Sequence, residues 1–224
     1  MKVKLINHSV GQLDNLLEEI AYVARVSNPS NQMNTGTNEK LVRYLMKHQH
    51  WSPFEMVSVC LEINTTRDIA RQILRHRSFS FQEFSQRYAN VEVATDFVRE
   101  ARLQDTKNRQ NSIDVDDALL EKAWQDRQNQ VLEVVKINYE WALAHGIAKE
   151  QARVVLPEGL TPSKMYMNGT LRSWLHYIAL RSGNGTQKEH RQIAIECAEA
   201  IKPIFPMIEE FLDGYSEEEG SRKT

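Results

Sequence analysis

Apolar residues recur along this chain with two periods. A spacing of three and four marks helices, and strict alternation marks strands. Leu13, Leu16, Leu17, Ile20, Ala21 and Ala24 form one stripe and predict a helix over residues 13–26. Leu41, Val42, Leu45 and Met46 predict a second over 38–48. Val57, Val59, Leu61 and Ile63 alternate with Ser58, Cys60, Glu62 and Asn64, which makes 56–64 the clearest strand. Ile69, Ala70, Ile73 and Leu74 then share a stripe, so 66–74 is predicted helical with Thr66 as its cap. Residues 2–8 read as an opening strand and 91–98 as another.

The second half starts with a long predicted helix over 114–145, stopped by Gly146, whose length invites packing against another subunit. A helix over 149–156 stops at Pro157. A strand over 160–167 alternates through Thr161, Ser163, Met165 and Met167, followed by a turn at 168–170. Leu171, Trp174, Leu175 and Ile178 form the core stripe of a helix over 171–181. A last helix passes Ile193, Cys197 and Ile201 towards Phe205, with Pro203 and Pro206 kinking or breaking it. Ser52 with Glu55, and Thr186 with Glu189, have capping-box spacing. Residues 27–36 read as a polar loop. Residues 100–112 are polar without an apolar period and are expected to be a mobile loop. The expected fold is α+β: a single domain over 1–215, with a mostly antiparallel sheet, flanking helices and a polar tail at 216–224.

Composition narrows this picture. The net charge of −2 over 224 residues gives no global basic field, so nucleic acid is not an expected partner and anion binding must come from local clusters. No apolar run approaches a membrane span, and the first residues lack a signal-peptide core. Cys60 and Cys197 stand far apart with no CxxC, so a reduced, cytoplasmic setting is expected. His48 and His50 have no carboxylate or cysteine cluster beside them, and no metal site is expected.

Candidate chemistry concentrates in residues 75–88. Arg75, His76, Arg77, Ser78, Ser80, Glu83, Ser85, Gln86, Arg87 and Tyr88 are interleaved with Phe79, Phe81 and Phe84, rings that should anchor the segment on a core. Its cations are all Arg, whose planar fork suits bidentate grip on phosphate. Gln72, Arg75 and His76 fall on neighbouring positions of the preceding helix end. An Arg-rich helix end is ordinarily a solvated face, but the alternating rings argue against that here. Farther on, Arg172 and His176 lie four apart on one helix face, while Arg181 lies roughly opposite Arg172 at about 3.6 residues per turn.

The stretch resembles the signature of flavin-dependent thymidylate synthases, RHR-x-x-S-x-N-x-x-S-x-R-Y. The chain matches at Arg75, His76, Arg77, Ser80, Ser85, Arg87 and Tyr88, and has Gln82 where the pattern has Asn. The segment Ala152-Arg153-Val154-Val155-Leu156-Pro157 is similar to the family's substrate-phosphate segment, and His50 followed by Ser52-Pro53-Phe54-Glu55 to its flavin-side run. The resemblance runs from about Ser27 to about Phe211.

The resemblance implies methylation of dUMP to dTMP with FAD, NADPH and methylenetetrahydrofolate, in a homotetramer with shared sites. It implies that Ser27, His50, Ser52, Glu55, Arg75, His76, Arg77, Glu83, Thr170, Arg172 and His176 serve the cofactor. Several members carry Asn at the position of Thr170. It implies that Gln72, Arg75, Glu83, Ser85, Gln86, Arg87, Arg153 and Arg181 hold the nucleotide, with Arg181 catalytic. Ser27 also reads as a plain helix-end turn residue, and Ser52 and Glu55 as a plain cap. The Arg cluster alone would equally suit a non-enzymatic nucleotide or RNA binder. A histidine-type phosphatase fits poorly, because Arg75-His76-Arg77 ends a helical pattern.

Overall fold

In a computed structural model, which describes residues 2–13, 15–93 and 96–212, the elements in chain order are β1 (Lys2–His8), α1 (Leu16–Ala24), α2 (Asn38–Lys47), β2 (Ser58–Thr66), α3 (Arg67–Ile73), β3 (Ser80–Glu83), β4 (Arg102–Gln104), β5 (Ser112–Asp114), α4 (Ala118–Ala144), α5 (Lys149–Ala152), β6 (Pro162–Thr170), α6 (Leu171–Arg181) and α7 (Lys188–Ile201). The expected tail at 216–224 lies outside the described residues.

One antiparallel sheet of order β1-β2-β6-β3 organises the chain. Val59, Leu61 and Ile63 of β2 and Met165 and Met167 of β6 are buried on the face that the helices cover. Cys60, Glu62, Lys164, Tyr166 and Asn168 are half-buried or exposed on the opposite face. The helix-side core gathers Ile20, Phe54, Ile69, Trp174, Ile178, Ile193 and Phe205. Trp174 donates from Nε1 to the Val59 carbonyl at 2.9 Å, so the largest core residue leaves no orphan donor.

Two strands run into helices without a loop: β2 into α3 at Thr66, and β6 into α6 at Thr170. Thr170 caps α6, its Oγ1 accepting from the Ser173 backbone N–H at 3.3 Å. Residues 168–170 therefore continue β6 instead of turning. Gly169 matters there for another reason. A Cβ at this position would meet Phe79 Cδ1 at 2.4 Å, so the missing side chain is what lets the ring lie across the strand. Phe79 packs edge-on against Trp174 and Tyr177. Phe81 is half-buried against the core, whereas Phe84 is exposed and lies outside it.

Several expectations are corrected. Residues 100–112 are not simply a loop, because β4 and β5 pair as a small antiparallel hairpin. Within 91–98, residues 94 and 95 lie outside the described residues and the others form no strand. Val91 instead donates from its backbone to Tyr139 OH at 3.1 Å. The long helix begins at Ala118, where the Asp117 carboxylate accepts from the backbones of Leu119 and Leu120. Beyond Ala152 the backbone tightens into a 3₁₀ turn over Arg153–Val155.

Neither capping box forms. Ser52–Glu55 is a 3₁₀ turn without a side-chain cap, and Glu55 is drawn to Thr170 and Arg172. Thr186 does not cap α7, and Glu189 is drawn to Gln187 and Arg102. Thr66 stands at the N-cap of α3, but its hydroxyl donates to the Asp68 carboxylate at 2.6 Å instead of accepting from the backbone. Helix α7 ends at Ile201, and Pro206 opens a 3₁₀ turn, so the prolines do break the pattern. No helix among the described residues is long and apolar enough to cross a membrane.

Helix α4 has 27 residues, about 40 Å at 1.5 Å per residue. One side buries Gln128, Leu132, Val135, Tyr139 and Ala142, where Tyr139 and Ala142 join a small cluster with Val91 and Ala152. Another side leaves Trp124, Val131, Val134 and Trp141 exposed, at successive spacings of seven, three and seven.

Candidate active site

The residues picked out by sequence fall into five places. At the first, where α3 ends against α6, Nε of Arg181 donates to Nε2 of His76 at 3.0 Å. The accepting nitrogen must be bare, so this imidazole is neutral and carries its proton on Nδ1. Burial holds the His76 pKa down to about 4, helped by the charges of Arg181 and Arg75. The Tyr177 ring stands edge-on to His76, 4.9 Å between centroids. Gln72 joins this group through His190, whose Nδ1 lies 3.2 Å from its Oε1. Arg75 and Arg77 are exposed beside it, with no side-chain hydrogen bond or ion pair to another of the described residues.

A second place lies at the start of α6. Glu55 takes Arg172 on Oε1 and Thr170 on Oε2, the latter at 2.9 Å. The Arg172 bond and then the Thr170 bond hold its carboxyl below the usual carboxylate range. His176 meets the Trp51 ring at 4.8 Å. Arg172 and His176 thus both face the 51–55 segment, while Arg181 faces His76, the split that their helical spacing predicts. Ser173 ties this end of α6 to the arginine motif, donating from Oγ to the Ser78 carbonyl at 3.2 Å. His50 and Ser52 are exposed next to this segment.

At the third place, Glu83 accepts on Oε1 from Ser163 at 2.7 Å and from Arg67 at 3.3 Å. At the fourth, residues 85–89 form a turn in which the Ser85 carbonyl accepts from Tyr88 and Ala89. Arg87 leaves it to pair with Glu150 at 3.1 Å, and Arg153 donates to the Glu150 carbonyl at 3.3 Å. Gln86 is buried, and its Nε2 has no partner among the described residues. The fifth place is a cleft of about 440 Å³ between α1 and α2, lined by Ser27, Arg25, Lys40 and Tyr44. No hydrogen bond or ion pair connects Ser27 to the arginine motif among the described residues.

Sequence reading missed Tyr177, His190, Ser163, Arg67 and Glu150. Tyr177 and His190 carried one usable signal: polar atoms on otherwise apolar helix faces, which must find each other or water.

Two exposed guanidinium groups, a neutral imidazole holding a further arginine, and a buried amide lacking an acceptor among the described residues leave hydrogen-bond donors to spare at this end of the sheet. The family model for the thymidylate synthase complementing protein matches residues 4–207, and the chain belongs to this family, the flavin-dependent thymidylate synthases. It is 48% identical over 216 residues to a probable flavin-dependent thymidylate synthase of Paramecium bursaria Chlorella virus 1, covering 95% of this chain and 99% of the relative. It is 51% identical over 190 residues to the flavin-dependent thymidylate synthase of Synechocystis sp., covering 84% and 86%. Among solved structures, a UMP/dUMP methylase from Streptomyces cacaoi, bound with 5-Br dUMP, superposes with a TM-score of 0.78 at 27% identity, covering 94% of this chain and 93% of that one.

Proposed function

We propose that the chain converts dUMP to dTMP, with methylenetetrahydrofolate as one-carbon donor, NADPH as reductant and FAD as the bound cofactor. The observation that carries this reading is Arg181 held on neutral His76 beside Arg75 and Arg77, which have no partner among the described residues, in a chain of this family. The residues present suit a flavin. Arg75 and Arg77 have no anionic partner among the described residues, and the Nδ1–H of His76 is left for a ligand. Bound flavin supplies hydride, and the protein supplies placement and charge.

Arg75, His76, Arg77, Glu83, Thr170, Arg172 and His176 would hold the flavin, together with Ser27, His50, Ser52 and Glu55. The bare Nε2 of His76 is spent on Arg181, so its Nδ1–H is the donor left for a ligand carbonyl or ring nitrogen. Arg75, Arg87 and Arg153 hold the nucleotide phosphate, with backbone and hydroxyl help near Ser85 and Gln86, and Glu83 also serves the nucleotide. Gln72 and Arg181 face the pyrimidine. Arg181 stabilises the negative charge that develops as N3 loses its proton, which makes the ring carbon more nucleophilic. It is fixed for this task in advance, since its Nε–H is already committed to His76.

The candidate ligands occupy separate places in one chain. The reading assembles them from neighbouring copies of a homotetramer, with the exposed apolar side of α4 between copies. Both cysteines are free, which suits a cytoplasmic setting. The ligands are a mononucleotide and its co-substrates, with neither nucleic acid nor membrane among them.

The visible absorbance spectrum tests the reading. The purified protein is expected to carry flavin bands and to form dTMP when given dUMP, methylenetetrahydrofolate and NADPH. A colourless protein that takes up no added FAD overturns it.

A further inference from the structure

Behind Gln72 and Arg181 lies a buried imidazole that the chemistry above does not use. His190, on α7, is fully buried with both ring nitrogens engaged. Nδ1 lies 3.2 Å from Gln72 Oε1, and Nε2 lies 3.1 Å from Tyr177 OH. An amide oxygen only accepts, so the ring proton sits on Nδ1. Burial, with Arg181 nearby, pulls the His190 pKa down to about 3, so the ring is neutral and Nε2 is a lone pair. Burial pushes Tyr177 well above the usual tyrosine value, so its hydroxyl keeps its proton and donates to that lone pair.

The bonds therefore run one way. Tyr177 donates to His190, and His190 donates to Gln72. Gln72 Nε2 donates to Gln187 Oε1 at 2.8 Å, and Gln187 Nε2 donates to Glu189 Oε2 at 2.8 Å. Glu189 closes the run, ion-paired to Arg102. Its carboxylate draws the Gln187 amide nitrogen to its side, which leaves Gln187 Oε1 to accept from Gln72, and the Nδ1–H of His190 holds the Gln72 oxygen on the other side. Gln72 keeps one N–H and one lone pair for a ligand, each on a fixed side.

We propose that His190 is a positioning residue that fixes the orientation in which the Gln72 amide meets the pyrimidine nucleotide. This rests on the reading of the site as a dUMP site. The Tyr177 ring, held at its hydroxyl by His190, also stands against His76, the imidazole that carries Arg181. Gln72 gains by preorganisation: an amide free to turn over would have to be ordered by the nucleotide itself.

The test titrates dUMP into the flavin-loaded protein and follows the flavin absorbance. His190→Leu is expected to weaken dUMP binding about fivefold to tenfold, with flavin content unchanged and KM affected more than kcat. In a Gln72→Ala background the same change is expected to add less than about twofold, because the residue it positions is gone. His190→Asn keeps a donor towards Gln72 and is expected to recover most of the affinity. His190→Gln reaches towards Tyr177 instead and is expected not to. Unaltered binding in His190→Leu overturns the proposal, as does a full loss repeated in the Gln72→Ala background. Should the leucine variant fail to fold, equal binding by the Asn and Gln variants overturns it. Unaltered protein that carries flavin but binds no dUMP refutes the reading of the site, and the proposal with it.

Discussion

Arg181 and His76 are joined nitrogen to nitrogen, Nε to Nε2 at 3.0 Å, a cation held by a ring that must stay neutral to hold it. Lysine keeps the charge but has no fixed fork and no Nε–H at that place. Arg181→Lys is expected to lower kcat about 100-fold, the loss typical of a donor aimed at developing charge. Flavin content should stay the same, because Arg172 and His176 use another face of α6. Steady-state kinetics beside the visible spectrum checks both, and near-normal turnover removes Arg181 from the catalytic list.

Acid should loosen this region. His76 and His190 have folded pKa values of about 4 and about 3, below the ordinary histidine value near 6.5 in an unfolded chain. Between these values the unfolded chain binds more protons. The stability owed to the neutral rings is complete above pH ~6.5 and is lost as pH falls towards 4 and then 3. Thermal melts from pH 7 to 4.5 should show a falling Tm, with a shallower slope in His190→Leu. A Tm constant across that window contradicts the assignment of neutral rings.

Glu150 competes with phosphate in the proposed site. It pairs with Arg87 through its carboxylate and receives Arg153 on its carbonyl. The Arg87 pair is largely exposed, so breaking it should hardly change stability. Glu150→Gln frees Arg87 and is expected to tighten dUMP binding about twofold to fivefold at low salt, less at high salt. Titration at two ionic strengths checks this, and weaker binding in the variant would show that Glu150 orients Arg87 rather than competing for it.

No cysteine is expected to act as a nucleophile. Burial raises the pKa of Cys60, and burial with Glu196 nearby raises Cys197 far more. A Cys60→Ser, Cys197→Ser double variant that folds and carries flavin should keep most of its dTMP formation. Complete loss of turnover in that protein would point to covalent catalysis.

Much of this architecture was legible because it repeats locally. Val59, Leu61 and Ile63 announce a strand by alternation, and helical arithmetic alone separates Arg172 and His176 from Arg181. What escaped depends on partners distant in sequence. The β4–β5 hairpin offers one apolar residue per strand, Leu103 opposite Ile113, too few to show a period. Both capping boxes had the right spacing, yet Glu55 went to Arg172 and Glu189 to Arg102, since a cation brought by the fold outweighs a local backbone N–H. His190 looked like any polar residue on an amphipathic helix until Tyr177 and Gln72 met it from two other helices.

Helix α4 carries one apolar side inward and leaves another in water, with Ile137 67% and Trp141 56% exposed. A chain newly folded by itself presents this apolar side of a helix about 40 Å long to water. In the proposed homotetramer, encounter with sister chains is part of maturation. Recovery of activity after dilution from denaturant should lag, and the lag should lengthen as the protein is diluted further, in the manner of a second-order step. Crowding of sister chains, as on one messenger read by many ribosomes, would speed the emergence of working enzyme without altering a single contact within the chain.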